Sequence, residues 1–139
     1  MTSFNEIGRN LPALLAAAFI AVLFIQSGFD KVFDRSGNLE WLKGHFSKTI
    51  LGPFVPFLLT MITLMELAAG FLAAAGVVYF LFSSSTVVIF WSSVAAALSL
   101  LSLFFGQRVA KDYPGAAVIV PYFILAVLLI YLTNPFPRA

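Results

Sequence analysis

Four stretches of this chain are each apolar enough and long enough to cross a lipid bilayer, and they leave little sequence for anything else. They run over Leu11–Phe29, Phe54–Phe82, Thr86–Phe105 and Ala116–Leu132. A helix needs about 20 apolar residues to span ~30 Å of hydrocarbon. The runs are continuously apolar rather than alternating, which favours helices over membrane strands. The sequence predicts an all-α, polytopic membrane protein in which residues 1–139 form a single antiparallel bundle of four transmembrane helices.

Composition supports a membrane protein and excludes several kinds of site. The chain is 61% hydrophobic and 10% charged, against about 25% charged residues in soluble domains. A net charge of +2 does not indicate a nucleic-acid partner. The chain has no cysteine and a single histidine, so it cannot build a thiol relay, a thiolate metal site or a bis-histidine haem. We therefore predict no intrinsic cofactor, no metal site and no catalytic residues.

The longest connection between the runs carries a helical pattern. Apolar residues recur there at spacings of three and four: Leu39, Leu42, Phe46 and Ile50. This pattern predicts a short amphipathic helix over residues 39–51, lying in the membrane interface. Its apolar side would face the membrane or the bundle, and Lys43 and Lys48 would face water. An irregular solvated loop is the alternative, and His45 is expected to be a solvated residue in either case.

Glu66 lies about 20 Å along the second predicted helix, counted from Pro53 at ~1.5 Å per residue. A carboxylate at that depth costs about 2.5–3.5 kcal/mol even on the mild insertion scale. It should therefore face the bundle interior and be paired or hydrogen-bonded. The helix-packing residues Gly70, Ala73 and Ala74 follow it, and small side chains of this kind allow close helix contact in lipid.

The antiparallel order brings five further polar residues into the same half of the bundle as Glu66. They end the first helix, end the third or begin the fourth: Gln26, Lys31, Gln107, Arg108 and Asp112. We expect Glu66 to lie within hydrogen-bonding reach of at least one of Gln26, Lys31, Gln107 and Arg108. Two interpretations remain open. The six residues either pin the helices together or line a ligand-binding pocket, with a quinone, lipid or small acid as the candidate ligand.

The chain resembles the DoxX family of small four-helix membrane proteins over nearly its whole length. The likeness rests on short motifs in a fixed order: Ser27-Gly28-Phe29-Asp30-Lys31-Val32-Phe33-Asp34, Glu66-Leu67-Ala68-Ala69-Gly70, Gly106-Gln107-Arg108, Asp112, and Gly115-Ala116-Ala117 with Tyr122-Phe123. It implies a bacterial inner-membrane protein related to the DoxD-type subunit of thiosulfate:quinone oxidoreductase. The family's Lys and Glu motifs map onto Lys31 and Glu66. The cysteine pair of redox relatives in the wider group has no counterpart here.

Two functional hypotheses follow. In the first, the protein is a non-catalytic accessory, assembly or scaffold subunit of a larger membrane complex, and its partners in the lipid bilayer are other membrane protein subunits or further copies of itself. In the second, it is a redox subunit that binds a quinone or another small molecule through its intramembrane polar residues. A small transporter fits less well, because no repeated pair of broken helices is present. Positive charge favours cytoplasmic long loops and external termini, with six Lys and Arg residues on the loop side against two at the termini.

Overall fold

The computed structural model describes residues 1–138, and within them every regular element is helical. The helices are α1 (Phe4–Arg9), α2 (Leu11–Phe33), α3 (Arg35–His45), α4 (Val55–Ser83), α5 (Val87–Val109) and α6 (Tyr113–Thr133), with a 3₁₀ turn at Gly52–Phe54. Of these, α2, α4, α5 and α6 are long and apolar enough to cross a membrane. The predicted four-helix membrane bundle is confirmed, and its breaks fall close to the predicted positions.

The four long helices pack in chain order. The main contacts join α2 to α4, α4 to α5 and α5 to α6, and α5 and α6 make smaller contacts with α2. The polar turn at residues 84–86 joins α4 to α5, and Ser84 ends α4 in the left-handed region with φ 58°. At the start of α6, the Asp112 carboxylate accepts a hydrogen bond from the Gly115 amide at 3.0 Å. Asp112 is therefore the N-cap of α6.

Small residues on α4 set the closest helix contacts. A Cβ atom at Gly70 would lie 2.8 Å from the backbone nitrogen of Ile25 on α2, and one at Gly76 would lie 2.8 Å from that of Ile89 on α5. Ala73 is fully buried between these two glycines, and Ala74 is half-buried at the edge of the core. The predicted packing face of α4 is thus inside the bundle.

Serines on α5 use their hydroxyls within their own helix. Ser92, Ser93 and Ser99 are buried, and each donates to a backbone carbonyl three or four residues earlier at 2.6–2.8 Å. Their polar groups are therefore satisfied without a partner on another helix.

The interface helix is present but shifted toward the N-terminus. The prediction of a helix over residues 39–51 is wrong at both ends, since α3 begins at Arg35 and ends at His45. The chain then turns because the hydroxyls of Ser47 and Thr49 donate to the carbonyls of Gly44 and Phe46, each at 2.9 Å. Such local bonds give the backbone an alternative to continuing the helix.

The two faces of this segment agree with the prediction. Leu42 and Phe46 are half-buried toward the bundle, whereas Lys43 and Lys48 are exposed. Residues 46–51 keep this arrangement without being helical.

Candidate functional site: a polar-ended pocket beneath α3

Glu66 and Lys31 form an ion pair inside the bundle. Lys31 Nζ lies 3.0 Å from Glu66 Oε2, and the two side chains are 15% and 1% exposed. The structure thus places Glu66 inward and within reach of Lys31, one of the four partners expected from the sequence. A buried carboxylate without a partner would be costly, and Lys31 supplies the opposite charge that Glu66 needs.

Ser27 completes this group. Its hydroxyl donates to Glu66 Oε2 at 3.0 Å and accepts from Lys31 Nζ at 2.9 Å. Ser27 was not among the candidate residues drawn from the sequence. Its position four residues before Lys31 is the signal that could have identified it, because residues at that spacing are neighbours on a helix.

A second polar group lies at the end of α3. His45 Nε2 is 2.9 Å from Gln107 Oε1 and 3.7 Å from Asp112 Oδ2. The His45 ring stacks on Trp41 with a centroid distance of 4.5 Å. His45 is therefore a half-buried contact between α3 and the α5–α6 connection, and the expectation that it is a solvated residue is wrong.

The remaining two candidates lie apart from both groups. Gln26 is exposed on α2. Arg108 is also exposed, with its guanidinium carbon 4.5 Å from the centre of the Tyr113 ring. The six residues predicted to cluster thus divide among four places: Lys31 with Glu66, Gln107 with Asp112, Gln26 alone, and Arg108 at Tyr113. Their side chains point in different directions around the bundle.

Between α3, α4 and α5 lies a cavity of about 780 Å³, here called the α3 pocket. Its polar lining residues are Lys31, Asn38, His45, Ser102 and Gln107. The rest of the lining is largely apolar and comes from α4, from α5 and from the inner face of α3. On α4 it includes Leu58, Ile62 and Met65. The pocket is therefore apolar along the helices and polar beneath α3.

The apolar side of the pocket reaches the outer surface of the bundle. Met61, Leu101 and Phe105 line it and are 41%, 52% and 58% exposed. These residues belong to helices that are long and apolar enough to cross a membrane, so the surface they share faces lipid. The apolar side of the pocket is therefore open at the outer surface of the bundle, where α4 and α5 carry these exposed residues.

α3 covers the pocket and is attached mainly at its two ends. At its start, Arg35 Nη2 donates to Thr60 Oγ1 at 2.8 Å and to the Pro56 carbonyl at 3.3 Å. At its other end, His45 bonds Gln107. No residue of α3 is fully buried.

Scans against protein-family models, curated proteins and solved structures give no match to this chain. The site is therefore interpreted from its own geometry.

Proposed function

We propose that this protein binds a small amphiphile, a quinone or a lipid, in the α3 pocket as a component of a membrane complex. The observation that carries the proposal is the shape and polarity of that pocket. Ligand pockets of about 300–1,000 Å³ that are mostly apolar, with a few converging polar groups, are the usual sites for small molecules. The α3 pocket falls in this range and opens toward lipid.

Lys31, His45 and Gln107 are the residues that would contact the polar head of the ligand. All three line the pocket, whereas Glu66 lies behind Lys31 and is 1% exposed. In this arrangement Lys31 meets the ligand directly, and Glu66 holds Lys31 in place. The apolar tail would lie along the α4 residues Leu58, Ile62 and Met65 and the α5 residues facing them.

The accessory role within a complex is supported by how little of the chain lies outside the long helices. The connections between them are residues 34–54, 84–86 and 110–112. Segments this short cannot form a second folded domain in water. These connections could therefore not supply the aqueous partners of a reaction that uses the bound amphiphile, which supports a role beside other subunits. Purification from native membranes without cross-linker tests this role, and a protein that always purifies alone would contradict it.

The proposal also includes the membrane and its sidedness. The DoxX-like motifs support a bacterial inner membrane. With Lys31 inside the bundle, five basic residues remain on the side of α3: Arg35, Lys43, Lys48, Arg108 and Lys111. Arg9 and Arg138 lie on the other side. This excess supports a cytoplasmic α3 side and external termini.

Trp41 gives a direct test of binding, because it lines the α3 pocket. The other tryptophan, Trp91, lies on α5, 16 residues before Gln107 and hence ~24 Å along the helix. In a Trp91→Phe protein in nanodiscs, we expect a short-chain quinone or a brominated lipid to quench Trp41 in a saturable way. Unlabelled ligand should reverse the quenching.

Two variants of α5 separate pocket binding from general contact with lipid. Ser102→Phe places a large side chain in the pocket lining and should abolish the saturable part of the Trp41 quenching. Leu98→Phe lies one turn away on an exposed part of α5 and should leave the saturable quenching unchanged. Quenching that rises linearly with quencher in every variant would reject the pocket as a binding site.

A further inference from the structure

Lys31 enters the α3 pocket with its charge already balanced. Its ammonium group is 3.0 Å from Glu66 Oε2, and Lys31 lines the pocket whereas Glu66 does not. The carboxylate is almost fully buried, so the pair is screened by little water. At the pocket wall, Lys31 therefore acts as a hydrogen-bond donor that adds little net charge.

The hydrogen bonds of Lys31 leave it able to bind a ligand. An ammonium group has three N–H donors. One is directed to Glu66 and one to Ser27 Oγ at 2.9 Å. The contact with the Ser27 carbonyl is 3.5 Å long, which is at the outer limit for a hydrogen bond. One donor therefore remains for an oxygen atom in the pocket.

The other polar groups beneath α3 add no excess of positive charge. Asn38 and Gln107 are neutral amides, and His45 lies 3.7 Å from the Asp112 carboxylate, so a negative charge stands beside the imidazole. The exposed Lys43, Lys48, Arg108 and Lys111 do not line the pocket. Anionic head groups that they attract would stay at the membrane surface.

We propose that Glu66 determines the specificity of the α3 pocket by cancelling the charge of Lys31, so that the pocket selects amphiphiles with an uncharged, oxygen-bearing head. This inference rests on the proposed function, because it names the chemical class of the ligand. An anionic head would lose its hydration without meeting a free cation, and that loss is costly. A carbonyl or hydroxyl oxygen has a much smaller desolvation cost and can accept from Lys31.

Two kinds of membrane molecule share this chemistry. A quinone carries carbonyl oxygens on a ring, and a diacylglycerol carries ester carbonyls and a hydroxyl. The test uses both, together with an anionic amphiphile that has the same brominated acyl chain as the diacylglycerol. A brominated fatty acid at pH 9 meets that requirement, because this pH exceeds the pKa of its carboxyl group even after the rise that partial desolvation in the bilayer causes.

The first arm compares these three probes on the Trp91→Phe protein by saturable quenching of Trp41. We expect the quinone, the diacylglycerol or both to bind at least about tenfold more tightly than the fatty acid. The neutral probe that binds shows whether the head group of the ligand is that of a quinone or that of a diacylglycerol. Equal affinity for the fatty acid would overturn the inference while leaving the proposed function in place. If none of the three probes binds saturably, the proposed function fails as well.

The second arm changes the charge behind Lys31. Glu66→Gln should shift the ratio of the fatty-acid affinity to the affinity for the neutral probe that binds in the first arm by at least about tenfold toward the fatty acid. Glu6→Gln removes a carboxylate at the opposite end of the bundle and should leave the ratio unchanged. A folded Glu66→Gln protein with the wild-type ratio would overturn the role of Glu66.

A double variant covers the case in which Glu66→Gln does not fold. Lys31→Gln with Glu66→Gln removes both charges together and leaves no buried ion. This protein should keep its preference for the neutral probe. A gain in fatty-acid binding by the double variant would contradict selection by charge balance.

Discussion

The two halves of the bundle are held together in different ways. The half next to α1 and the turn at residues 84–86, here called the closed half, contains Gly76 in backbone contact with α5 and a fully buried Phe80. The half next to α3, here called the open half, contains the α3 pocket and the Lys31–Glu66 pair. Close packing needs small residues in register. In the open half Gly28 brings α2 close to Leu67 of α4, but polar contacts of Arg35 and His45 hold α3 to α4 and α5. The same four helices thus provide both a rigid frame and a ligand-sized space.

The largest effect is expected from breaking the ion pair of the open half. Lys31→Met leaves the Glu66 carboxylate buried without its cation, which typically costs about 3–5 kcal/mol. Unfolding of the purified protein in mixed micelles with increasing SDS measures this loss. Lys31→Met combined with Glu66→Gln should recover most of it, because no buried charge remains. Equal instability of the single and double variants would show that Lys31 contributes by packing rather than by charge.

A smaller but still clear effect is expected in the closed half from Gly76→Ala. The new Cβ would lie 2.8 Å from the backbone nitrogen of Ile89, so α4 and α5 must separate. Overpacking of this kind typically costs about 1–3 kcal/mol. Gly106→Ala on α5 is the control, since its Cβ would make an ordinary contact at 3.5 Å with the Phe46 ring. If both variants unfold at the same SDS fraction, close packing at Gly76 does not stabilise the closed half.

The sequence predicts the frame better than it predicts the pocket. Hydropathy and helix length are sufficient for the four helices, and the cost of a charge in lipid is sufficient to place Glu66 inward. Antiparallel order then puts Lys31 at the right end of its helix. These inferences depend on one residue at a time or on the order of helices, so the details of side-chain packing do not affect them.

The pocket depends on contacts between residues that are far apart in the sequence, which local sequence patterns do not predict. His45 and Gln107 are 62 positions apart, and their contact follows from where α3 ends. That end is set by hydroxyl bonds of Ser47 and Thr49, which apolar spacing does not report. Apolar spacing alone therefore predicts a helix that continues to residue 51, and it does not predict the contact that His45 makes at the true end of α3.

A moderate effect, limited to the open half, is expected from His45→Phe. The substitution keeps an aromatic ring beside Trp41 but removes the hydrogen bond to Gln107, which is worth about 0.5–1.5 kcal/mol. Amide hydrogen exchange should become faster throughout α3 and stay unchanged around Phe80. Lys43→Gln, on the exposed side of α3, should have no effect. Protection of α3 that survives His45→Phe would show that Arg35 alone holds this helix in place.

The smallest effect is expected at the far end of the closed half, where Glu6 joins α1 to the turn that follows α4. Its carboxylate accepts from the Ser3 amide at 2.9 Å and is 3.2 Å from the Ser84 hydroxyl. Hydrogen bonds from the Ser3 backbone and side chain hold the pKa of Glu6 below its ordinary value of 4.5, with a smaller contribution from Ser84.

Because the pKa of Glu6 is lower in the folded protein than in the unfolded chain, the carboxylate stabilises this contact above pH 4.5 and loses that contribution as pH falls through the folded pKa. The Thr2 amide bonds the Leu81 carbonyl at 3.1 Å. Its protection factor, which is the exchange rate of a free amide at the same pH divided by its own exchange rate, should therefore fall in acid. Glu6→Gln should remove this pH dependence, while the protection factors of the amides around the buried Leu59 in the open half should not change between pH 6 and pH 4. A Thr2 protection factor with the same acid dependence in Glu6→Gln as in wild type would mean that a different group controls the contact.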